Sequence, residues 1–222
     1  MTCMAGRDKP ELSSRKLPKQ VRSAQMVADI LEASVRVLRR EGGARFTTIR
    51  VAEEAGISVG SLYQYFPNKS ALLFRLQVEE WTTTFAMLQR ILDDRSVPPV
   101  ERLRRTVFAF FRSELEEVEL RRALDDASAV FRGAAEARLH FERDLRRLSP
   151  FFTEALPKRD PSERDFLVEF FTLSLGAIAE KVTDRTLDAG VLERWTEATA
   201  DLLCSYLERL QKQPRKRTEV AP

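Results

Sequence analysis

The stretch TTIRVAEEAGISVGSLYQYFPNK, residues 47–69, contains two short segments of helical periodicity on either side of Gly56. The threonine pair at its start can cap the first helix, and Gly56 can adopt the positive φ at which many helices end. Ser58 can cap a second short helix over residues 59 to about 65. Ala52 is small enough to let the two helices cross closely, so the spacing predicts a helix-turn-helix.

The second helix leaves small and hydroxyl-bearing residues on the side away from the shared core. Such residues let a helix enter a DNA groove closely enough to reach base edges and phosphates. Lys69, at the start of the next helix, can place a charge on a flanking phosphate. A short surface helix with aromatic anchors would have the same sequence, so both DNA binding and plain packing are compatible with the spacing.

The run FTTIRVAEEAGISVGSLYQYFPNKSALL, residues 46–73, resembles the DNA-binding signature of TetR-family transcriptional regulators, and the resemblance extends over residues 22–75. It implies phosphate contacts from Thr48 and Lys69. It also implies base or phosphate contacts from the recognition helix, namely Ser58, Val59, Gly60, Ser61, Tyr63 and Tyr65. We add Thr47 to this set, and we assign a phosphate to Arg50 because Ile49 stands where some members carry a polar residue.

The composition is that of an ordinary globular protein, with 43% hydrophobic and 32% charged residues in 222. No apolar run approaches the roughly 20 residues of a membrane span, and the N-terminus lacks the apolar segment of a signal peptide, so we expect a cytoplasmic protein with no membrane partner. Basic residues are concentrated at both ends of the chain. Residues 36–50 also carry five arginines against one glutamate, which favours a polyanionic partner over a plain solvated surface once the helix-turn-helix is considered.

Glycine and proline fall between segments of helical periodicity and strand patterns are absent, so we predict an all-α fold. We expect four parts along the chain. They are a flexible basic arm (1–18), a three-helix helix-turn-helix DNA-binding domain (19–67), a larger helical effector-binding and dimerisation domain (68–211), and a basic tail (212–222).

The C-terminal region is rich in phenylalanine, and the family resemblance implies that it encloses a small-molecule pocket. An aromatic lining suits an apolar or aromatic effector. The candidate lining residues are Phe85, Phe108, Phe111, Phe131, Phe141, Phe152 and Phe171. Any single one of them is more simply explained by ordinary core packing, and only the set as a whole indicates an apolar ligand site.

The segment FLVEFFTLSLGAIAEKV, residues 166–182, carries apolar residues on two opposite sides of a helix. One subunit can cover only one side, so we predict that a second copy covers the other and forms a homodimer. The predicted interface takes residues from this helix and from the next one: Phe170, Leu173, Gly176, Ala177, Trp195, Leu202, Leu203 and Tyr206.

Catalytic and metal-binding patterns are missing from the sequence. His140 is the only histidine, Cys3 and Cys204 have no metal-ligand spacing, and no phosphate-binding loop is present. We therefore expect no enzyme, no metal and no cofactor. The sequence favours a repressor that a small hydrophobic effector releases from a palindromic operator in double-stranded DNA. An effector-independent activator or architectural DNA-binding protein, and a helical carrier or enzyme whose helix-turn-helix is only packing, are the alternatives.

Overall fold

The computed structural model describes residues 21–128, 134–185 and 188–213, and within these ranges the chain forms helices and turns without a strand. The predicted all-α fold is confirmed. The predicted basic arm, most of the basic tail and Phe131 lie outside the described residues. The helices are α1 (Val21–Glu41), α2 (Thr48–Glu54), α3 (Val59–Tyr65), α4 (Lys69–Leu92), α5 (Pro99–Glu116), α6 (Val118–Ser128), α7 (Ala135–Leu145), α8 (Ser149–Ala155), α9 (Pro161–Arg185) and α10 (Ala189–Lys212).

The helices form two compact units. The first unit takes the chain up to Glu80 together with Glu119–His140, and the second takes Trp81–Val118 together with the chain from Phe141 onward. Helices α4, α6 and α7 therefore contribute residues to both units. The boundary between residues 67 and 68 that we expect from the sequence stays a prediction.

The first unit is built on the apolar face of α1, where Ile30, Val37 and Leu38 are buried. Phe46, just before α2, and Phe66, just after α3, are 1% and 0% exposed and fill the space between these helices. Fully burying a side chain of this kind stabilises a fold by roughly 1.5–3 kcal/mol. The core thus fixes α2 and α3 on α1 and leaves their other sides to solvent.

The second unit has a core formed by the end of α4 with α5, α8, α9 and α10. A charged side chain crosses this core: Arg102 is 1% exposed, donates to the Leu92 carbonyl at 2.5 Å and pairs with the Glu154 carboxylate. Its guanidinium also lies 5.4 Å from the centroid of the Phe151 ring. The buried charge is tolerated because it has both a carboxylate and a carbonyl as partners.

Helices α9 and α10 each divide their apolar residues between the core and solvent. On α9, Leu167, Phe171 and Leu175 are buried in the core. The residues exposed on the opposite sides of α9 and α10 form what we call the α9/α10 apolar face: Phe166, Phe170, Leu173, Val191, Trp195 and Leu202. The two-sided pattern that the sequence predicts for α9 is therefore present, with one side covered by the chain itself. Among the helices of the described residues, none combines the length and apolar character needed to cross a lipid bilayer.

Candidate nucleic-acid interface

The turn between α2 and α3 is closed by Gly56. Its φ is 67°, its N–H donates to the Glu53 carbonyl at 3.1 Å, and the Ile57 N–H donates to the Ala52 carbonyl at 3.0 Å. This pair of bonds is the Schellman motif, which needs a positive φ at the residue after the helix. The role predicted for Gly56 is confirmed, and the corner sets the angle at which α3 leaves α2.

Side chains cap both short helices. The Thr47 hydroxyl accepts from the Arg50 N–H at 3.3 Å, and the Ser58 hydroxyl accepts from the Ser61 N–H at 3.0 Å. Each cap supplies an acceptor to a backbone N–H that the helix itself leaves unpaired. Of the two threonines that the sequence offered as the first cap, Thr47 takes that role.

Thr48 has a different environment. It begins α2, is only 8% exposed, and its hydroxyl lies 3.0 Å from the Tyr63 hydroxyl of α3. Tyr63 is 40% exposed, so its ring bridges the buried threonine and solvent. Of these two candidate DNA-contact residues, Tyr63 is open to a ligand, and Thr48 holds its phenol.

The rest of α3 presents a surface of small side chains. Ser58 and Gly60 are exposed, while Val59, Ser61 and Tyr65 are half-buried. A Cβ atom added at Gly60 would meet only the Ser58 hydroxyl, at 3.8 Å, so the space beside this turn is open. A partner can therefore approach the α3 backbone closely at its N-terminal end.

Lys69 lies at the start of α4, where its ammonium donates to the Gly43 carbonyl at 3.2 Å and stands 5.6 Å from the centroid of the Phe46 ring. Partial burial lowers the pKa of the Lys69 ammonium. Gly43 is itself tightly enclosed, because a Cβ atom there would lie 2.7 Å from the Ala123 carbonyl oxygen of α6. This contact joins residues that lie 80 positions apart, so local sequence patterns do not predict it.

The basic segment over residues 36–50 is largely ion-paired. Arg36 and Arg40 each donate to a different oxygen of the Glu54 carboxylate, both at 2.8 Å. Glu41 pairs with Arg40 at 3.1 Å and also with Arg50, which in addition donates to the Arg45 carbonyl. Glu54 belongs to α2, outside the counted segment, so the sequence-based charge count missed it. We call these five side chains the α1/α2 charge network: Arg36, Arg40, Glu41, Arg50 and Glu54.

The candidate pocket residues belong to the second unit. Phe85, Phe111, Phe152 and Phe171 are at most 4% exposed, and Phe108 and Phe141 pack on the same core while partly exposed. The rings of Trp81 and Phe85 lie edge-on to Phe141, with centroids 5.7 and 5.6 Å away. Phe131 lies outside the described residues, so its predicted role stays a prediction.

One polar group near this aromatic cluster was not identified from the sequence. Asp144, one turn after Phe141 on α7, is 0% exposed. Its carboxylate accepts from the Thr82 hydroxyl at 3.2 Å and contacts the Arg143 and Arg147 guanidinium groups, each at 3.3 Å. In sequence it is one of many acidic residues among arginines, and only the packing shows that it is buried.

The candidate dimer residues divide into two groups. Leu173, Ala177, Trp195 and Leu202 are exposed, Phe170 is 38% exposed, and Gly176 and Tyr206 are half-buried. Leu203 is 2% exposed within the single chain. Because it faces the core beside Cys204, it has no surface to offer a partner and we remove it from the candidate interface.

The remaining reactive side chains are used in packing. The His140 ring packs edge-on to Phe74, with centroids 5.9 Å apart. Cys204 is buried, its thiol lies 3.5 Å from the Val100 carbonyl, and burial raises its pKa to about 11, so the thiol is protonated at neutral pH. Within the described ranges, His, Cys, Asp and Glu side chains form no group of three or more that could hold a metal ion.

Two family descriptions match the chain. "Bacterial regulatory proteins, tetR family" covers residues 30–76, and "Tetracyclin repressor-like, C-terminal domain" covers residues 98–210. Neither describes a catalytic family. The first match contains α2, α3 and most of α1, and the resemblance carried by residues 46–73 is confirmed.

Individual proteins resemble the chain over different extents. The nucleoid occlusion factor SlmA of Aliivibrio fischeri (strain MJ11) is 32% identical over 88 residues, which is 39% of this chain and 42% of the relative. The chain thus spans less than half the length of the curated relatives it matches first.

Solved structures match over most of the chain. A TetR-family regulator from Pectobacterium atrosepticum has a TM-score of 0.66 at 21% identity and covers 89% of this chain and 100% of its own. The regulator FadR from Bacillus subtilis, solved with stearoyl-CoA, has a TM-score of 0.58 at 18% identity, covering 80% and 97%. At these identities the likeness shows the fold.

Proposed function

Because the chain belongs to the TetR family of bacterial regulatory proteins, we propose that it is a DNA-binding repressor that a small hydrophobic effector releases from a palindromic operator. The observation that carries the proposal is the capped α2–α3 corner with an open, small-residue surface at the start of α3. A helix placed on a rigid corner with little side-chain bulk can enter the major groove and read base edges.

In this proposal the exposed residues of α3 read and hold the operator. Ser58, Gly60 and Tyr63 are exposed, and Val59, Ser61 and Tyr65 are partly accessible. Thr47 at the α2 cap, Lys69 at the start of α4 and Arg50 in the charge network are proposed to meet phosphates. Thr48 contributes to operator binding indirectly, by holding Tyr63, because its own hydroxyl is buried against the Tyr63 phenol.

We propose that the α9/α10 apolar face binds the same face of a second copy. Its members include Phe166, Leu173, Trp195 and Leu202, which are 58%, 52%, 47% and 60% exposed in the single chain. Ala177 and Trp195 line one shallow groove, so the exposed sides of α9 and α10 are neighbours. Adjoining exposed apolar side chains on two long helices are typical of a subunit interface. Two copies related by a twofold axis can place two recognition helices about 34–36 Å apart, as a palindrome requires.

We propose that the effector binds in the second unit, beside the aromatic cluster of Trp81, Phe85 and Phe141. Aromatic walls with a few polar groups are typical of small-molecule sites, and the buried Asp144 carboxylate near this cluster is such a group. One structural neighbour was solved with stearoyl-CoA, which makes long acyl chains the first class to test. An effector that binds better to the DNA-free conformation lowers operator affinity by the same factor by which DNA lowers effector affinity.

Selection of DNA from a random pool by the purified full-length chain tests the proposal. We expect an enriched palindrome, bound as a dimer, whose affinity falls as salt rises. Fatty acids, acyl-CoA esters and small aromatic compounds are then added to the complex, and one of these classes should release the DNA. No enrichment of any sequence would contradict the function.

A second candidate is an effector-independent architectural protein or activator. The observation that favours it is the name of the curated relatives, nucleoid occlusion factors, although the match to the one from Aliivibrio fischeri covers only 39% of this chain. This candidate predicts that the protein binds its operator but that no compound in the panel releases it. A carrier or an enzyme, the third alternative, predicts no salt-dependent binding to DNA.

The proposal includes no enzymatic activity, no cofactor and no membrane partner, and it places the protein in the cytoplasm with its DNA.

A further inference from the structure

Because of the α1/α2 charge network, fewer arginines of the first unit are available to DNA phosphates than the arginine count suggests. We propose that Glu54 is a specificity residue: by holding Arg36 and Arg40, it keeps these two guanidinium groups from binding the phosphates of DNA of any sequence. The inference rests on the proposed DNA binding of the first unit. It adds a residue that lowers affinity for DNA without the operator sequence.

The geometry of the pair is specific. The Arg36 Nε and Arg40 Nη1 atoms each lie 2.8 Å from a separate oxygen of Glu54. One carboxylate thus takes a charge-assisted hydrogen bond from each of two arginines, the strongest class of protein hydrogen bond. These two bonds lower the pKa of the Glu54 carboxyl, so the carboxylate remains charged at neutral pH.

The exposures show that the arginines are otherwise available to a ligand. The Arg36 and Arg40 side chains are 51% and 55% exposed, whereas Glu54 is 22% exposed. The two arginine side chains are therefore largely open to solvent, whereas the Glu54 side chain is mostly covered. Without that carboxylate, and within the described part of the chain, Arg36 would keep only its 3.8 Å contact with Glu32 and Arg40 only its pair with Glu41, so both guanidinium groups would be more available to any DNA backbone.

The position of Glu54 explains why the effect falls mainly on non-specific binding. Glu54 is the last residue of α2, about 9 Å along the helix from Thr48, which contacts Tyr63 at the proposed groove surface. On an operator, base contacts from α3 fix the pose, whereas Arg36 and Arg40 are held at Glu54, the last residue of α2. On random DNA the complex has no fixed register and draws essentially all its affinity from phosphates, so any free arginine on this face adds to it.

Two variants of adjacent residues separate this role from a general charge effect. Glu54→Gln removes the charge that holds the arginines. Glu53→Gln makes the same change in net charge one position earlier on α2, at an exposed residue with no ion pair in the described part of the chain. We expect Glu54→Gln to raise affinity for random duplex DNA about three- to tenfold at low salt and to steepen the dependence of log K on log salt by about one to two units. Glu53→Gln should change the random-DNA affinity and its salt dependence by much less. In Glu54→Gln, operator affinity should change less than random-DNA affinity.

The double substitution of Arg36→Gln and Arg40→Gln, made in the wild type and in Glu54→Gln, gives a thermodynamic mutant cycle. In the wild-type background it should lower random-DNA affinity by less than it does in the Glu54→Gln background, because Glu54 already holds these groups. In the Glu54→Gln background it should abolish the gain. Affinities are measured by fluorescence anisotropy with the full-length chain on a random duplex and on the selected operator, after circular dichroism has established that each variant is folded.

Three results would overturn the inference. They are an equal gain from Glu53→Gln and Glu54→Gln, no gain from Glu54→Gln, or a loss of random-DNA affinity on replacing the two arginines that is as large in the wild type as in the Glu54→Gln background. A wild-type chain that binds no DNA at any salt concentration would instead contradict the proposed function.

Discussion

The Tyr63 hydroxyl of α3 lies 3.0 Å from the Thr48 hydroxyl of α2, and this hydrogen bond joins the two helices of the corner on the side that faces solvent. Thr48 is 8% exposed and Tyr63 is 40% exposed. The bond therefore anchors an accessible aromatic ring to a buried group. The orientation of Tyr63 on the proposed DNA surface depends on Thr48.

Tyr63→Phe removes this bond while keeping the ring. We expect the free energy of unfolding to fall by about 1 kcal/mol, because the Thr48 hydroxyl loses its partner in a mostly buried position. Tyr65→Phe is the matched control, since no hydrogen bond to its hydroxyl occurs among the described residues. Urea denaturation of both variants measures the difference, and equal stabilities would contradict a structural role for the bond.

Gly43→Ala should destabilise the first unit, because the new Cβ would lie 2.7 Å from the backbone oxygen of Ala123 and one segment must move. We expect a loss of about 1–3 kcal/mol. Gly60→Ala is the comparison, because its Cβ meets only a side-chain oxygen at 3.8 Å and alanine is the better helix former by about 0.5–1 kcal/mol. Thermal unfolding should thus move in opposite directions for the two variants, and a Gly43→Ala chain as stable as the wild type would refute the close contact.

Lys69→Ala tests whether this ammonium binds phosphate as well as the Gly43 carbonyl, 3.2 Å away. If it does both, affinity should fall equally for all DNA sequences and the salt dependence should weaken by about one unit. The measurement is a set of binding isotherms between low and moderate salt. A lower stability with an unchanged salt dependence would restrict Lys69 to holding the turn.

Glu154→Gln should make the second unit less stable at neutral pH but not in acid. Its hydrogen bond from Arg102 is the main cause that lowers the pKa of the Glu154 carboxyl below its ordinary value of 4.5. The folded state therefore binds this proton less tightly than the unfolded state, so the stabilisation is present above about pH 4.5 and is lost as the pH falls through the folded-state pKa.

We expect Glu154→Gln to cost about 2 kcal/mol at pH 7, because the buried Arg102 loses its charged partner. The difference from the wild type should shrink as the pH falls below about 4.5 and through the folded-state pKa. Denaturant unfolding at several pH values measures it, with Glu193→Gln, an exposed residue without an ion pair in the described ranges, as control. A difference that stays constant with pH would exclude the ion pair as its cause.

Gly176→Arg should produce monomers. A Cβ atom at Gly176 meets no other atom within 4 Å, so the single chain can accommodate a larger side chain there, whereas a desolvated interface cannot accept its charge. Gly190→Arg is the control, since Gly190 is exposed on α10 and is not one of the apolar residues of the α9/α10 apolar face. Sedimentation should show a monomer for the first variant and a dimer for the second, and only the first should lose operator binding. A dimer that persists in Gly176→Arg would reject this face as the interface.

The sequence alone was sufficient for the α2–α3 corner and for the all-α fold. Gly56, Thr47 and Ser58 act on backbone groups within a few residues of themselves. Because these contacts are local, their roles can be predicted from the sequence alone. The two-sided apolar pattern of α9 could also be predicted, because helical periodicity assigns each residue to a side.

Tertiary structure decided which partner each side chain meets. Glu54 lies 18 residues from Arg36, Tyr63 lies 15 from Thr48, and Asp144 lies 62 from Thr82, so none of these contacts follows from local spacing. For the same reason the sequence placed both Leu202 and Leu203 in the interface, although one is 60% exposed and the other 2%. The apolar stripe on α10 is wider than the core it packs on, and the position of the neighbouring helices determines where the core ends.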